Sequence, residues 1–153
     1  MIVDRLKGHP EEIRILTGGF TATQLKHRMT AEKWSLHELV MHLCETQDVH
    51  IGRLSRMLTE DKPQLASYAA DNVRSNGLYL TMKYEKRFAE FEVQRETMTS
   101  LPETLTDEQW ALERIHPEIE HYSIRKSMEE LMRHEEHHLY QMNELAIRMR
   151  KQG

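Results

Sequence analysis

Histidine is the side chain that both ligates metals and carries protons near neutral pH, and the 153-residue sequence holds 10 of them. Two, His134 and His138, lie four residues apart in the run HEEHH. On a helix that spacing puts both imidazoles on one face, with Cβ atoms about 5–6 Å apart, so they can direct nitrogens at one ion. A third ligand has to come from another segment. His42, beside Leu39, Thr46 and Val49 on the flank of an apolar face, is the best placed. Three neutral imidazoles leave a coordination position for water, the open arrangement of catalytic rather than structural zinc. The competing reading is that an i, i+4 pair arises by chance in a histidine-rich chain, each ring being an ordinary hydrogen-bonded core residue. His9, His27, His37, His50, His116, His121 and His137 are read as surface or loop positions.

Two motifs overlap the same segment. HEEHH matches H-E-x-x-H, in which a zinc peptidase uses the histidines as ligands and the glutamate as general base. The context opposes a peptidase: Gln141 and Glu144 stand where the extended motif has glycine and histidine, and no substrate-pairing strand is evident. E-x-x-H occurs at Glu113–His116, Glu118–His121 and Glu135–His138, but the first two flank Pro117 in an expected loop. A di-iron carboxylate bundle needs two such pairs on two helices, so a mononuclear site is preferred.

Helices must position these residues. Low glycine and proline, 10 methionines and long stretches without a breaker favour an all-helical chain, and no strand alternation is found. A short first helix is expected from Pro10 to Thr17, extendable upstream through Val3 and Leu6, with Gly18-Gly19 as its stop. Ser35 and Glu38 have capping-box spacing, and Leu36, Leu39, Val40, Leu43, Ile51, Leu54 and Leu58 continue one apolar face from there. After Pro63 a connection too long for a tight hairpin suggests a crossover. A third helix starts at Val73 or Leu78 and ends near Thr99, followed by a loop to His121 with at most one short helix around Asp107–Leu112. The last helix, from about Ser123, has the strongest periodicity: Ile124, Met128, Leu131, Glu135, His138, Met142, Leu145 and Met149. At its centre apolar residues give way to Glu135 and His138, and polar groups at core depth need partners. The fold class is therefore all-α, an antiparallel four-helix bundle in a single domain over residues 1–153.

Composition narrows the partners. The net charge is −4, with both signs interspersed, so no clustered basic surface favours nucleic acid. No run approaches the roughly 20 apolar residues of a membrane span, and the opening residues lack a signal-peptide core. Cys44, the single cysteine, makes no internal disulfide, so a cytoplasmic setting is expected. Cys44 itself is read as a small core residue, Trp34 and Trp110 as packing anchors, and Met128, Met142 and Met149 as core filling.

The segment EKWSLHELVMHLCETQD resembles the W-S-x-x-E-x-x-x-H-L block of the DinB/YfiT-like superfamily, and HPEIEHYSIRKSMEELMRHEEHHLYQM resembles its closing H-P…H-E-x-x-H-x-x-Q pattern. The chain departs from the family in having His121-Tyr122-Ser123 where glycine and threonine often precede the last helix. The resemblance implies an up-down-down-up bundle with a long crossover, and a divalent metal ion, zinc or nickel, on His42, His134 and His138. It further implies a small-molecule substrate, with low-molecular-weight-thiol S-transfer and metal-dependent hydrolysis as the two chemistries. For hydrolysis, Glu135 or Glu45 could serve as base, while Asp48 and Gln141 could support the ligand rings from behind. The rival reading is a non-catalytic metal-binding or dimerisation bundle, and a homodimer is allowed under either.

Overall fold

The computed structural model describes residues 1–65 and 77–152. Four long helices form the bundle: α1 (Ile2–Thr17), α3 (Leu36–Thr59), α4 (Tyr84–Ser100) and α6 (Ile124–Gln152). Short helices α2 (Ala22–Lys26) and α5 (Asp107–Trp110) lie in the connections, with single 3-10 turns at Leu78–Thr81 and Leu101–Glu103. Two two-residue strands, β1 (Glu113–Arg114) and β2 (Tyr122–Ser123), pair antiparallel and close the loop before α6. These strands are a correction to the strand-free expectation.

Contacts between helices fix their directions. His9 meets Glu135 and Arg150 reaches the Leu16 carbonyl, so α1 and α6 run parallel. His42 meets His134 and His50 meets Ser127, so α3 and α6 run antiparallel. Cys44 lies against the Arg87 carbonyl and Gln47 against that of Phe91, so α3 and α4 are parallel. The order is up-down-down-up, and the chain must return the full length of the bundle between Thr59 and Tyr84. The third helix starts at Tyr84 rather than Leu78, whose turn is a separate 3-10 element; the other proposed start, Val73, lies outside the described residues.

The start of α3 follows its sequence. Ser35 Oγ accepts from the Glu38 N–H at 3.2 Å, and the Ser35 N–H donates back to Glu38 Oε1 at 3.1 Å. Arg28 adds a two-pronged pair to the same carboxylate, at 2.7 and 2.6 Å. Burial alone would raise the Glu38 carboxyl, but Arg28 and Ser35 outweigh it and hold it below the usual carboxylate range.

Helix α1 begins eight residues before Pro10, which sits inside it. Proline has no N–H for the carbonyl four residues earlier, so the Leu6 carbonyl lacks its helical partner. Arg95 Nη1 on α4 donates to it at 2.7 Å, which is why the helix tolerates the proline. Apolar side chains pack in two clusters, one around Ile13, Val40, Phe91 and Met142 and the other around Leu6, Met57, Met98 and Leu131. Burying a Leu- or Phe-sized side chain contributes about 1.5–3 kcal/mol, so these clusters hold the helices together.

Candidate metal centre

The i, i+4 pair on α6 and the single ring on α3 converge. His134 Nε2 lies 3.0 Å from His42 Nε2 and 3.1 Å from His138 Nε2. Nitrogens bound at about 2.05 Å to one tetrahedral ion lie about 3.3 Å apart, so these two separations are close to those of ligands sharing a cation, and the three ligand atoms all lie within 4.8 Å of one another.

The surrounding hydrogen bonds orient the rings. His138 Nδ1–H donates to Gln141 Oε1 at 2.7 Å, leaving its Nε2 lone pair pointed at the cluster. His42 Nδ1 is bonded to the Tyr79 hydroxyl at 3.1 Å, which turns its Nε2 towards the same cluster. His134 Nε2 offers either one hydrogen or one lone pair, yet two ring nitrogens face it. At most one of the two contacts can be a hydrogen bond; a cation satisfies all three nitrogens together. His134 Nδ1 is buried without a hydrogen-bond partner among the described residues, a place for the ring N–H that ligation through Nε2 requires. The residues therefore fit a divalent cation.

Electrostatics agree with the ligand role. Burial, reinforced by the neighbouring rings, pushes His42 down to about 3 and His134 down to about 4. Burial also lowers His138, partly opposed by Gln141. All three rings are neutral at pH 7, the form that binds metal. The Trp34 ring lies 4.7 Å from that of His42, and His37 Nε2–H holds the Tyr79 backbone carbonyl at 2.9 Å. A cleft of about 750 Å³ opens on His42 and His138, walled by Met29, Trp34 and Leu145. That is the size of a small-molecule site.

The other expected site residues separate. Gln141 sits behind His138 as anticipated. Asp48 does not face the centre: its carboxylate takes Arg87 at 2.7 Å and Gln94 at 3.1 Å on the α4 side. Glu135 is fully buried with both oxygens engaged, Oε1 by His9 Nδ1 at 2.7 Å and Oε2 by Arg95. Burial would raise its carboxyl, but Arg95 and His9 hold it below the usual range, so it is neither free nor basic enough to take a proton. Glu45 is part-buried, and its Oε2 is shielded with no hydrogen-bond partner.

Three histidines expected at the surface are buried. His9 bonds Glu135, His37 bonds Tyr79 and His50 bonds Ser127 Oγ at 3.0 Å; in each the ring nitrogen finds a partner that makes burial tolerable. His116 is half-buried against Tyr122, whereas His27, His121 and His137 are exposed as expected. Sequence reasoning missed Tyr79 and Arg95. Arg95 was detectable as a charge inside the Phe88, Phe91, Met98 stripe; Tyr79, outside any long helix, gave no signal.

The sequence model of the DinB superfamily matches residues 5–142. No protein with a curated description matches the sequence. A solved structure described as "YfiT from Bacillus subtilis is a probable metal-dependent hydrolase with an unusual four-helix bundle topology" superposes with a TM-score of 0.84 at 22% identity. The match covers 97% of this chain and 85% of that one, a likeness of fold.

Proposed function

The chain belongs to the DinB superfamily, and we propose that it is a metal-dependent enzyme whose divalent ion, zinc or nickel, sits on His42, His134 and His138 and acts on a small molecule held in the adjoining cleft. The observation that carries this reading is the meeting of three Nε2 atoms, in which His134 Nε2 faces two ring nitrogens and can hydrogen-bond at most one of them. A cation held there supplies Lewis-acid chemistry and lowers the pKa of a water or thiol nucleophile.

The chain's own residues divide the remaining work. Gln141 and Tyr79 orient His138 and His42 through their outer nitrogens. Trp34, Met29 and Leu145 line the approach and shed water from it. Glu45, one turn beyond His42 with an unsatisfied carboxylate oxygen, is the proposed general base, and Glu135 and Asp48 are not. Hydrolysis is the leading reaction, the activity ascribed to YfiT; S-transfer from a low-molecular-weight thiol is the second arm of the test. Three protein donors beside an open cleft support an enzyme over a purely structural ion, which takes four.

Cys44 fits the proposed cytoplasmic setting: it is buried, its thiol is pushed up to about 12 by that burial, and it makes no disulfide. The test is metal analysis of untagged protein, followed by ester-hydrolysis and thiol-conjugation assays before and after chelation. One equivalent of metal and a chelator-sensitive turnover are expected. Metal-free protein that regains none on dialysis against zinc or nickel would refute the reading.

A further inference from the structure

Halfway along the bundle every long helix breaks its apolar stripe. On α1 His9 stands between Leu6 and Ile13, and on α3 Gln47 stands between Leu43 and Leu54. On α4 Arg95 stands between Phe91 and Met98, and on α6 Glu135 stands between Met132 and Leu139; all four polar residues are buried. They form one network. Glu135 accepts from His9 and Arg95, Arg95 Nε donates to Gln47 Oε1 at 2.6 Å, and Arg95 Nη1 donates to the Leu6 carbonyl that Pro10 leaves free. Gln47 Nε2 in turn donates to the Phe91 carbonyl at 2.9 Å. One carboxylate is thereby tied to all three other helices.

We propose that this buried layer is a positioning device for the histidine centre: Glu135 fixes the rotation and height of α6 so that His134 and His138 meet His42. The inference rests on the triad being a metal site. Glu135 directly follows His134 and precedes His138 by three residues, so any turn or slide of α6 that keeps the layer intact is too small to part the rings. A buried ion pair adds little stability over well-packed apolar residues, because desolvation offsets its Coulomb gain. Its contribution is selectivity. Methionine and leucine side chains pack in several rotational settings, whereas a carboxylate with every partner in place has one. The glutamate of the H-E-x-x-H run is thus a positioning residue, acting through the helix that carries the ligands.

The test compares the double variant Arg95→Met/Glu135→Leu with wild type and with Met57→Ala, a cavity in the far apolar cluster. Zinc affinity is read by competition with a chromophoric chelator, coordination geometry by the absorption spectrum of the cobalt(II) form, and folding by circular dichroism. The double variant should stay helical, bind zinc at least about tenfold more weakly and give an altered cobalt spectrum. Met57→Ala should lose stability yet keep zinc affinity. A folded double variant with wild-type affinity and spectrum overturns the inference. If the double variant does not fold, His9→Phe, which removes one hydrogen bond and keeps the Arg95–Glu135 pair, decides it on the same two readouts. Wild-type protein that takes up no zinc or cobalt overturns the metal reading itself.

Discussion

At the scale of single residues, the centre is defined by who may hold a proton. Gln141 orients the His138 ring and Tyr79 that of His42, whereas His134 Nδ1 has no hydrogen-bond partner among the described residues. Replacing His138 by Ala should abolish stoichiometric metal while helix content survives, read by elemental analysis and circular dichroism. Tyr79→Phe leaves all three ligands in place but removes the group that orients His42. It should weaken zinc binding by about 10- to 100-fold in a chelator competition, with full occupancy recovered at high zinc. Glu45→Gln should retain the metal and lower turnover by about 10²–10⁴-fold, since only the proton acceptor is lost. An unchanged rate with metal present would remove Glu45 from the reaction. The three converging histidines were legible in the sequence because they share a helix period or a helix face. Asp48 was misread because position along a helix does not tell which neighbour a flank meets, and here Arg87 and Gln94 of α4 claim it.

At the scale of elements, local rules account for most of what is seen. The start of α3 obeys its capping box to the residue, and α6 has the length its stripe required. Since Ser35 caps the helix that carries His42, Ser35→Ala should destabilise the protein by about 1 kcal/mol in urea titrations, with metal content unchanged at neutral pH. A loss well above 2 kcal/mol would mean that the Arg28–Glu38 clasp collapses with the cap. Where local rules failed, tertiary contacts had overridden them. Pro10 reads as a helix start, yet α1 runs through it because a guanidinium from α4 takes the orphaned Leu6 carbonyl. The 3-10 turn holding Tyr79 has no periodicity, and its place is set by His37 and His42 across the fold.

At the scale of the whole molecule, the bundle keeps several imidazoles neutral in its interior, and this couples folding to pH. His50 and His42 are pushed down to about 3 and His134 to about 4, chiefly by burial, against an ordinary value of 6.5. Below pH 6.5 the unfolded chain takes up protons that the folded one refuses, so the unfolded state binds more protons and stability falls as pH falls. The stabilisation is complete above 6.5 and drains as pH descends towards the folded values. The buried carboxylates Glu38 and Glu135, both lowered, add to the loss only below about 4.5. Chelator-treated protein should therefore lose stability between pH 6.5 and 4.5 with a slope of up to about 1.4 kcal/mol per pH unit for each such histidine. Zinc at 100 times its dissociation constant should add about 2.7 kcal/mol at neutral pH, and that increment should fade only as pH descends through the folded values of the rings, about 4 for His134 and about 3 for His42, where protons compete for the nitrogens. Urea unfolding at stepped pH, with and without zinc, measures both. A metal-free curve flat from 7 to 5 would mean that the buried rings protonate in place, and a zinc increment lost entirely between pH 6.5 and 5 would mean that the rings of the centre take up protons in the folded protein near the ordinary value.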